Sequence, residues 1–341
     1  MMSHGFAQLD HWPEGLLDVR ADELHRLISE PTLIHLTGRE PQPLFVSVLL
    51  HGNETSGLGA VQALLRKYAG KLLPRSVSIF FGNVLAAREG LRRLDDQPDF
   101  NRIWPGTERS AGAETRMAQA VYDEMRKRGV FASVDVHNNT GLNPHYACVH
   151  RLDNRSLKLA AMFGRLVIYS TSPRGTQTGA FAGLCPALTL ECGKPGQAYG
   201  AEHAFQFIDS CLHLPAIAEH PPAQHDLDLF HTVAQVVVRE EVGFSYGDTT
   251  ADLLLCERLD HLNFTELRPG TILGYVNHTD SKSFLPVVAR DEKGRDVASE
   301  YFGIDDRRLV LKKPTMPAML TLDERVIRQD CLCYLMERLT R

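Results

Sequence analysis

The chain has 341 residues, enough for one large domain and a smaller one. Its 43% hydrophobic and 23% charged residues are those of an ordinary soluble globular protein. A formal net charge of −5 with no lysine–arginine block argues against a nucleic-acid partner. No apolar run approaches the roughly 18 residues that span a bilayer, which argues against a membrane partner as well.

The first ten residues carry neither a basic region nor an apolar core, so they do not read as a signal peptide. Seven cysteines without regular spacing suit a reducing compartment, and the expected location is cytoplasmic. The run 33–36 reads as a strand, and Gly38 to Pro41 as a hairpin turn into a second, buried strand over 44–50. Leu58, Val61, Leu64, Leu65 and Tyr68 then recur at helical spacing, which predicts an amphipathic helix over 55–69. A strand follows at 77–81 and a helix at 114–128, with Met117, Val121 and Met125 on one stripe. Further strands are expected at 131–136, 145–149, 165–170 and 187–191, then a helix over about 201–213. This alternation indicates an α/β sandwich around a mixed sheet. Pro215 to His225 reads as a linker, which places a catalytic domain at 1–222 and a smaller β-rich domain at 223–341. Short strands at 233–238, 272–276, 286–288 and 309–311 precede a terminal helix, signalled by Thr321 and Glu324 as a capping box.

Chemistry enters at the strand ends. His51 and Glu54 stand directly after the buried strand over 44–50, with Gly52 and Gly57 letting the chain turn sharply into a helix. His137 closes another apolar run, and Asp135, two residues earlier, points to the same strand face. Two imidazoles and one carboxylate delivered this way make a three-ligand zinc site with an open fourth position, the mark of a catalytic ion. Asp135 stays outside the ligand set, either as an acceptor behind the ligands or as a structural residue nearby. A third strand ends in a carboxylate, Glu191, followed by Cys192 and Gly193.

These pieces together resemble a known group. His-Gly-Asn-Glu at 51–54, Asp-x-His-Asn at 135–138, Asn-Arg-x-Trp-Pro-Gly at 101–106 and Leu-Glu-x-Gly at 190–193 look like motifs of the succinylglutamate desuccinylase/aspartoacylase family. The resemblance covers roughly residues 40 to 215. It implies a fold of the zinc carboxypeptidase type and one zinc ion per chain, held by His51, Glu54 and His137. Glu191 would then be the general base that takes a proton from water and returns it to the leaving amine. Asn101 and Arg102 would grip the substrate's α-carboxylate, for which a guanidinium fork is suited. Arg92 stands three before Asp95, as in the family's Arg-x-x-Asp element, and would polarise the scissile carbonyl, with Arg88 a more distant alternative. About two extra residues near Gln97 and Pro98 depart from the family spacing. Arg174 resembles an arginine on the acyl side, and Tyr301 a pocket tyrosine from the C-terminal domain. Asn138, Asn139 and Thr140 extend the His137 motif.

The expected activity is zinc-dependent hydrolysis of the amide of a small N-acyl amino acid. The alternative is a zinc metallocarboxypeptidase acting on a short peptide, which shares every element of the chemistry. A serine hydrolase is the more distant rival, because 243–247 reads Gly-x-Ser-x-Gly and His261 or His278 would have to supply its base. The acyl group and the amino acid are not encoded in any residue pattern, and homo-oligomerisation stays open.

Overall fold

The computed structural model describes residues 5–277 and 284–339, and these divide into two compact units. The first comprises residues up to Asn138 together with His145–Asp228. The second comprises Asn139–Pro144 together with Leu229 onward.

The first unit is built on a mixed sheet. Its strands are β1 (Ala7–Leu9), β2 (Thr32–Leu36), β3 (Gly38–Val48), β4 (Leu73–Phe81), β5 (Ala132–His137), β6 (Tyr146–Val149), β7 (Leu166–Tyr169) and β8 (Ala187–Glu191). Across the sheet they run β1-β2-β4-β3-β5-β8-β6-β7. β4, β3, β5 and β8 are mutually parallel, while β2 and β6 run antiparallel to their inner neighbours. Every residue of β5 and β8 is buried, as both-face burial of central parallel strands requires. The helices are α1 (Ser56–Tyr68), α2 (Val84–Arg88), α3 (Ala113–Arg128), α4 (Asn154–Phe163), α5 (Gln177–Phe181) and α6 (Ala198–Leu212). α1 buries Leu58, Val61, Leu64, Leu65 and Tyr68, the stripe read from the sequence. α3 buries Met117, Val121 and Met125 and stops at Gly129, whose φ of 68° closes the helix in the left-handed region.

Two features of this unit correct the sequence reading. Gly38 to Pro41 is not a hairpin turn, because β4 lies between β2 and β3. The segment is instead the start of β3, and its pairing with β4 slips between Glu40 and Leu44, where Pro41 and Pro43 cannot donate to a ladder. α4 was not anticipated. Asp153 caps it by accepting from the Ser156 amide at 3.0 Å, and Leu157, Leu159, Ala160 and Phe163 are buried.

The second unit is β-rich. Its elements are β9 (Asp228–Val238), β10 (Phe244–Ser245), β11 (Leu253–Leu255), β12 (Ile272–Val276), β13 (Val287–Arg290), α7 (Ala298–Tyr301), β14 (Phe302–Asp305), β15 (Arg308–Leu311), β16 (Met316–Ala318), α8 (Glu324–Gln329) and β17 (Cys333–Arg338). β13 and β17 both pair with β9, and β16 extends from β17. The other five strands form a smaller sheet in the order β10-β11-β12-β15-β14. The expected terminal helix is cut short. α8 ends at Gln329, and its cap is Asp323, accepting from the Val326 amide at 3.1 Å, not Thr321. Cys331, Leu335 and their neighbours fit either a helical or an alternating pattern, and β9 offers a partner that a strand can pair with. No disulfide joins the seven cysteines. Among the described residues no helix is long and apolar enough to cross a membrane.

Candidate metal centre

Parallel strands bring their carboxyl ends to one edge of the sheet, and open α/β sheets bind ligands there. Three residues of interest arrive by that route. His51 follows the end of β3, His137 ends β5 and Glu191 ends β8, with His137 and Glu191 in direct register on adjacent strands. Successive strand residues alternate faces, so Asp135 and His137 share one face with Thr189 and Glu191. All of these side chains are buried.

His51, Glu54 and His137 each offer a ligand atom, all within 4.8 Å of one another, so the three could hold a metal ion. The two imidazoles address Glu54 through the same nitrogen. His51 Nδ1 lies 2.8 Å from Glu54 Oε1, and His137 Nδ1 lies 2.7 Å from Oε2. Their far nitrogens each meet a different carboxylate. His51 Nε2 is 2.9 Å from Asp99 Oδ1, and His137 Nε2 is 2.7 Å from Asp135 Oδ2. Asp135 is itself held by the Ser47 hydroxyl of β3 at 2.6 Å. A histidine that donates one N–H to a carboxylate turns its other lone pair toward a metal, and each ring here has a carboxylate at its Nε2 that could serve in that way.

Charge makes the same case. Four buried carboxylates, Glu54, Asp99, Asp135 and Glu191, gather here, and two guanidiniums answer them: Arg92, at 3.4 Å from Glu54 Oε1 and 3.1 Å from Asp99 Oδ2, and Arg102, which acts on Asp99. The remainder is met by protons on the two imidazoles or by a divalent cation facing both Nδ1 atoms. The ionisation equilibria reflect this demand. Burial and the Arg92 guanidinium favour a neutral His51, yet Glu54 and Asp99 outweigh them and raise its pKa. Burial likewise opposes charge on His137, but Asp135 and Glu54 hold its pKa well above the ordinary value. Burial alone would protonate Glu54 and Asp99. His51 and His137 hold Glu54 far down instead, and His51, Arg92 and Arg102 do the same for Asp99. This donor set fits a divalent ion.

The 99–106 segment is anchored by Trp104. Its indole is fully buried among Phe80 and Phe181, and its Nε1 donates to the Phe100 carbonyl at 2.9 Å. Burying a ring of this size contributes on the order of 3 kcal/mol, enough to fix the loop. Asn101 accepts from the Gln177 amide at 2.8 Å, and its Nδ2 lies 3.3 Å from His137 Nε2. Arg102 is half-buried and donates to the Asn101 carbonyl at 2.8 Å. Next to it, burial and then the Arg102 charge push His150 down to a pKa of about 4.

The structure thus brings His51, Glu54, His137, Arg92 and Asn101 together and sets Glu191 beside His137. Asp99 is the residue that sequence reasoning missed. Arg92 was chosen for its spacing from Asp95, whereas its guanidinium bonds Asp99. The available signal was an acid two residues before the Asn-Arg pair. Arg174 is mostly exposed and pairs with Glu108 at 3.2 Å. Tyr301 ends α7 in the core of the second unit, with its hydroxyl 3.3 Å from Glu337 and the Lys313 ammonium over its ring. Thr140 is 2.6 Å from Thr321, and Asn139 accepts from Asn143, all within that unit. The serine-hydrolase reading is overturned. Ser245 Oγ accepts from the Gly247 and Asp248 amides, closing a turn where a helix is needed. Among the described residues no imidazole bonds that hydroxyl, and His278 lies outside them.

Comparison with known proteins agrees with this geometry. Residues 42–214, about half the chain, match the profile of the succinylglutamate desuccinylase/aspartoacylase catalytic domain. A succinylglutamate desuccinylase of Burkholderia orbicola is 26% identical over 279 residues, covering 71% of this chain and 76% of the relative. One from Serratia proteamaculans is 28% identical over 260 residues, covering 68% and 74%. Among solved structures, the succinylglutamate desuccinylase of Chromobacterium violaceum superposes with a TM-score of 0.58 at 18% identity, over 89% of this chain and 86% of that one. Murine aminoacylase 3 superposes with a TM-score of 0.56 at 14% identity, over 89% and 97%. At those identities the structural likeness bears on the fold alone.

Proposed function

The chain belongs to the succinylglutamate desuccinylase/aspartoacylase family, and from that premise we propose that it is a zinc-dependent amidohydrolase acting on a small N-acyl amino acid. The observation that carries the proposal is the pair of imidazoles, each turned by its own carboxylate so that both Nδ1 atoms face Glu54. His51, Glu54 and His137 would hold the ion. Zinc, when bound, supplies a Lewis acid that acidifies water to a pKa of about 7 and polarises a carbonyl.

The remaining roles fall to this chain's side chains. Glu191, in register beside His137, takes a proton from the attacking water and returns it to the amine as the C–N bond breaks. Arg92 faces the negative charge that develops on the scissile carbonyl oxygen. Arg102, with Asn101, holds the α-carboxylate so that the amide is oriented for attack. Arg174 is proposed for the acyl side, while Tyr301, packed in the core of the second unit against Glu337 and Lys313, is given no role in the reaction. The products are a carboxylate and a free amine.

A panel of N-acyl amino acids and short peptides, offered to zinc-loaded protein, tests the reading. Turnover of at least one acyl amino acid is expected. Glu191→Gln should lower kcat by about 10²–10⁴-fold and leave one zinc per chain. Zinc loss in that variant would make Glu191 a ligand and overturn the mechanism. Turnover of peptides alone would move the protein to the carboxypeptidase class.

A further inference from the structure

Asn138 follows the ligand His137 and is only 1% exposed. Its backbone amide donates to Glu54 Oε2 at 3.0 Å. Its side chain is engaged at both ends. Oδ1 accepts from the Ser56 amide at 3.0 Å, the first residue of α1. Nδ2 lies 2.9 Å from Ser56 Oγ, 2.9 Å from the Gly193 carbonyl and 3.3 Å from the Cys192 carbonyl. One residue therefore ties the segment carrying Glu54 to the turn that follows Glu191.

Gly193 has a φ of 70°, and at Gly200 a Cβ would lie 2.3 Å from the Cys192 oxygen, so α6 is laid directly on the turn. The Cys192 amide donates to the His137 carbonyl at 2.9 Å, while the Cys192 and Gly193 carbonyls both accept from Asn138. Only a primary amide offers one acceptor and two donors in this space. Aspartate would keep the acceptor and set a lone pair against two carbonyls.

We infer that Asn138 is a positioning residue: it sets the height of Glu191 over the metal-binding triad by clamping the Cys192–Gly193 turn to the start of α1. The inference rests on the base role given to Glu191.

The test compares zinc-loaded wild type, Asn138→Asp, Glu191→Gln and the double variant. Asn138→Asp should retain one zinc, move KM by less than about threefold and lower kcat roughly 10- to 100-fold. In the Glu191→Gln background the same change should cost less than about threefold more, because both act on one step. Hydrogen exchange of a peptide spanning residues 188–197 should speed up about tenfold in Asn138→Asp, with α3 unaffected. If the aspartate does not fold, Asn138→Ser, which keeps one donor, should show intermediate changes in the same direction. Equal losses in both backgrounds, or unchanged exchange at the turn, would overturn the inference. If wild type cleaves no acyl amino acid, the functional reading fails by itself, and the exchange measurement alone decides whether Asn138 holds the turn.

Discussion

Asp99→Asn isolates the contribution of a carboxylate that would touch no metal ion. In the native site Oδ1 accepts from His51 Nε2 at 2.9 Å and from the Asn101 amide at 2.7 Å, while Oδ2 faces Arg92 at 3.1 Å. Asparagine can keep its oxygen toward His51 and Asn101, but its NH₂ then opposes the Arg92 guanidinium. The direct loss is one charged hydrogen bond, about 1.5–3 kcal/mol. The indirect loss falls on His51, whose ring no longer faces an anion and becomes a weaker donor to a metal. Replacing such an acceptor weakens metal binding by about 10- to 100-fold, or roughly 1.4–2.7 kcal/mol. Competition against a chromophoric chelator measures it directly. At a fixed free zinc concentration, the zinc-dependent part of thermal stability should shrink by the same energy. A zinc affinity within about twofold of wild type would show that Asp99 does not orient His51 and would refute the charge argument for the site.

Arg102→Lys should raise KM by about 10- to 100-fold with a smaller effect on kcat, since a point charge replaces a bidentate fork in binding. An unchanged KM for every cleaved substrate would remove Arg102 from the carboxylate contact. His150 gives a pH prediction whose sign follows from its pKa, which burial and then Arg102 push down to about 4. Below about pH 6.5 the unfolded chain binds a proton that the folded chain refuses, so this contribution is complete above 6.5 and is lost as pH falls toward 4. Between pH 7 and 5 the loss is about 2 kcal/mol, and His150→Gln should flatten the urea-unfolding profile by that amount. Parallel profiles for the two proteins would show that His150 is not held neutral.

The candidate ligands His51, Glu54 and His137 could be picked out because they stand at or just after strand ends. A histidine at a strand end is more often only structural, and what favoured a metal site was the combination of Glu54 three residues after His51, the flanking Gly52 and Gly57, and His137 with Asp135 on another strand. The carboxylates behind them were harder to read. Asp135 shares a strand face with His137 and could be placed, whereas Asp99 reaches His51 across 48 residues of chain and is visible only once the Trp104 loop has folded. Elsewhere the partner decided. Gly38 to Pro41 carries every sign of a turn, yet β4 sits where the hairpin mate was expected. The segment 331–339 satisfies two periods, and the ladder offered by β9 selects the extended one.

Gly52 stands between the candidate ligands His51 and Glu54. A Cβ there would sit 2.1 Å from the Ala87 nitrogen and 2.2 Å from the Ala86 carbonyl carbon, so the His51–Glu54 segment lies against the backbone of α2 with no room between them. Its amide is also tied to the Arg92 carbonyl at 3.1 Å. A side chain at position 52 therefore has no room, and the spacing from His51 to Glu54 is held by backbone contacts with α2 and Arg92. If the site holds a cation as proposed, its preference is better altered at Asp99 and Asp135, which lie behind the imidazoles and outside the His51–Glu54 segment.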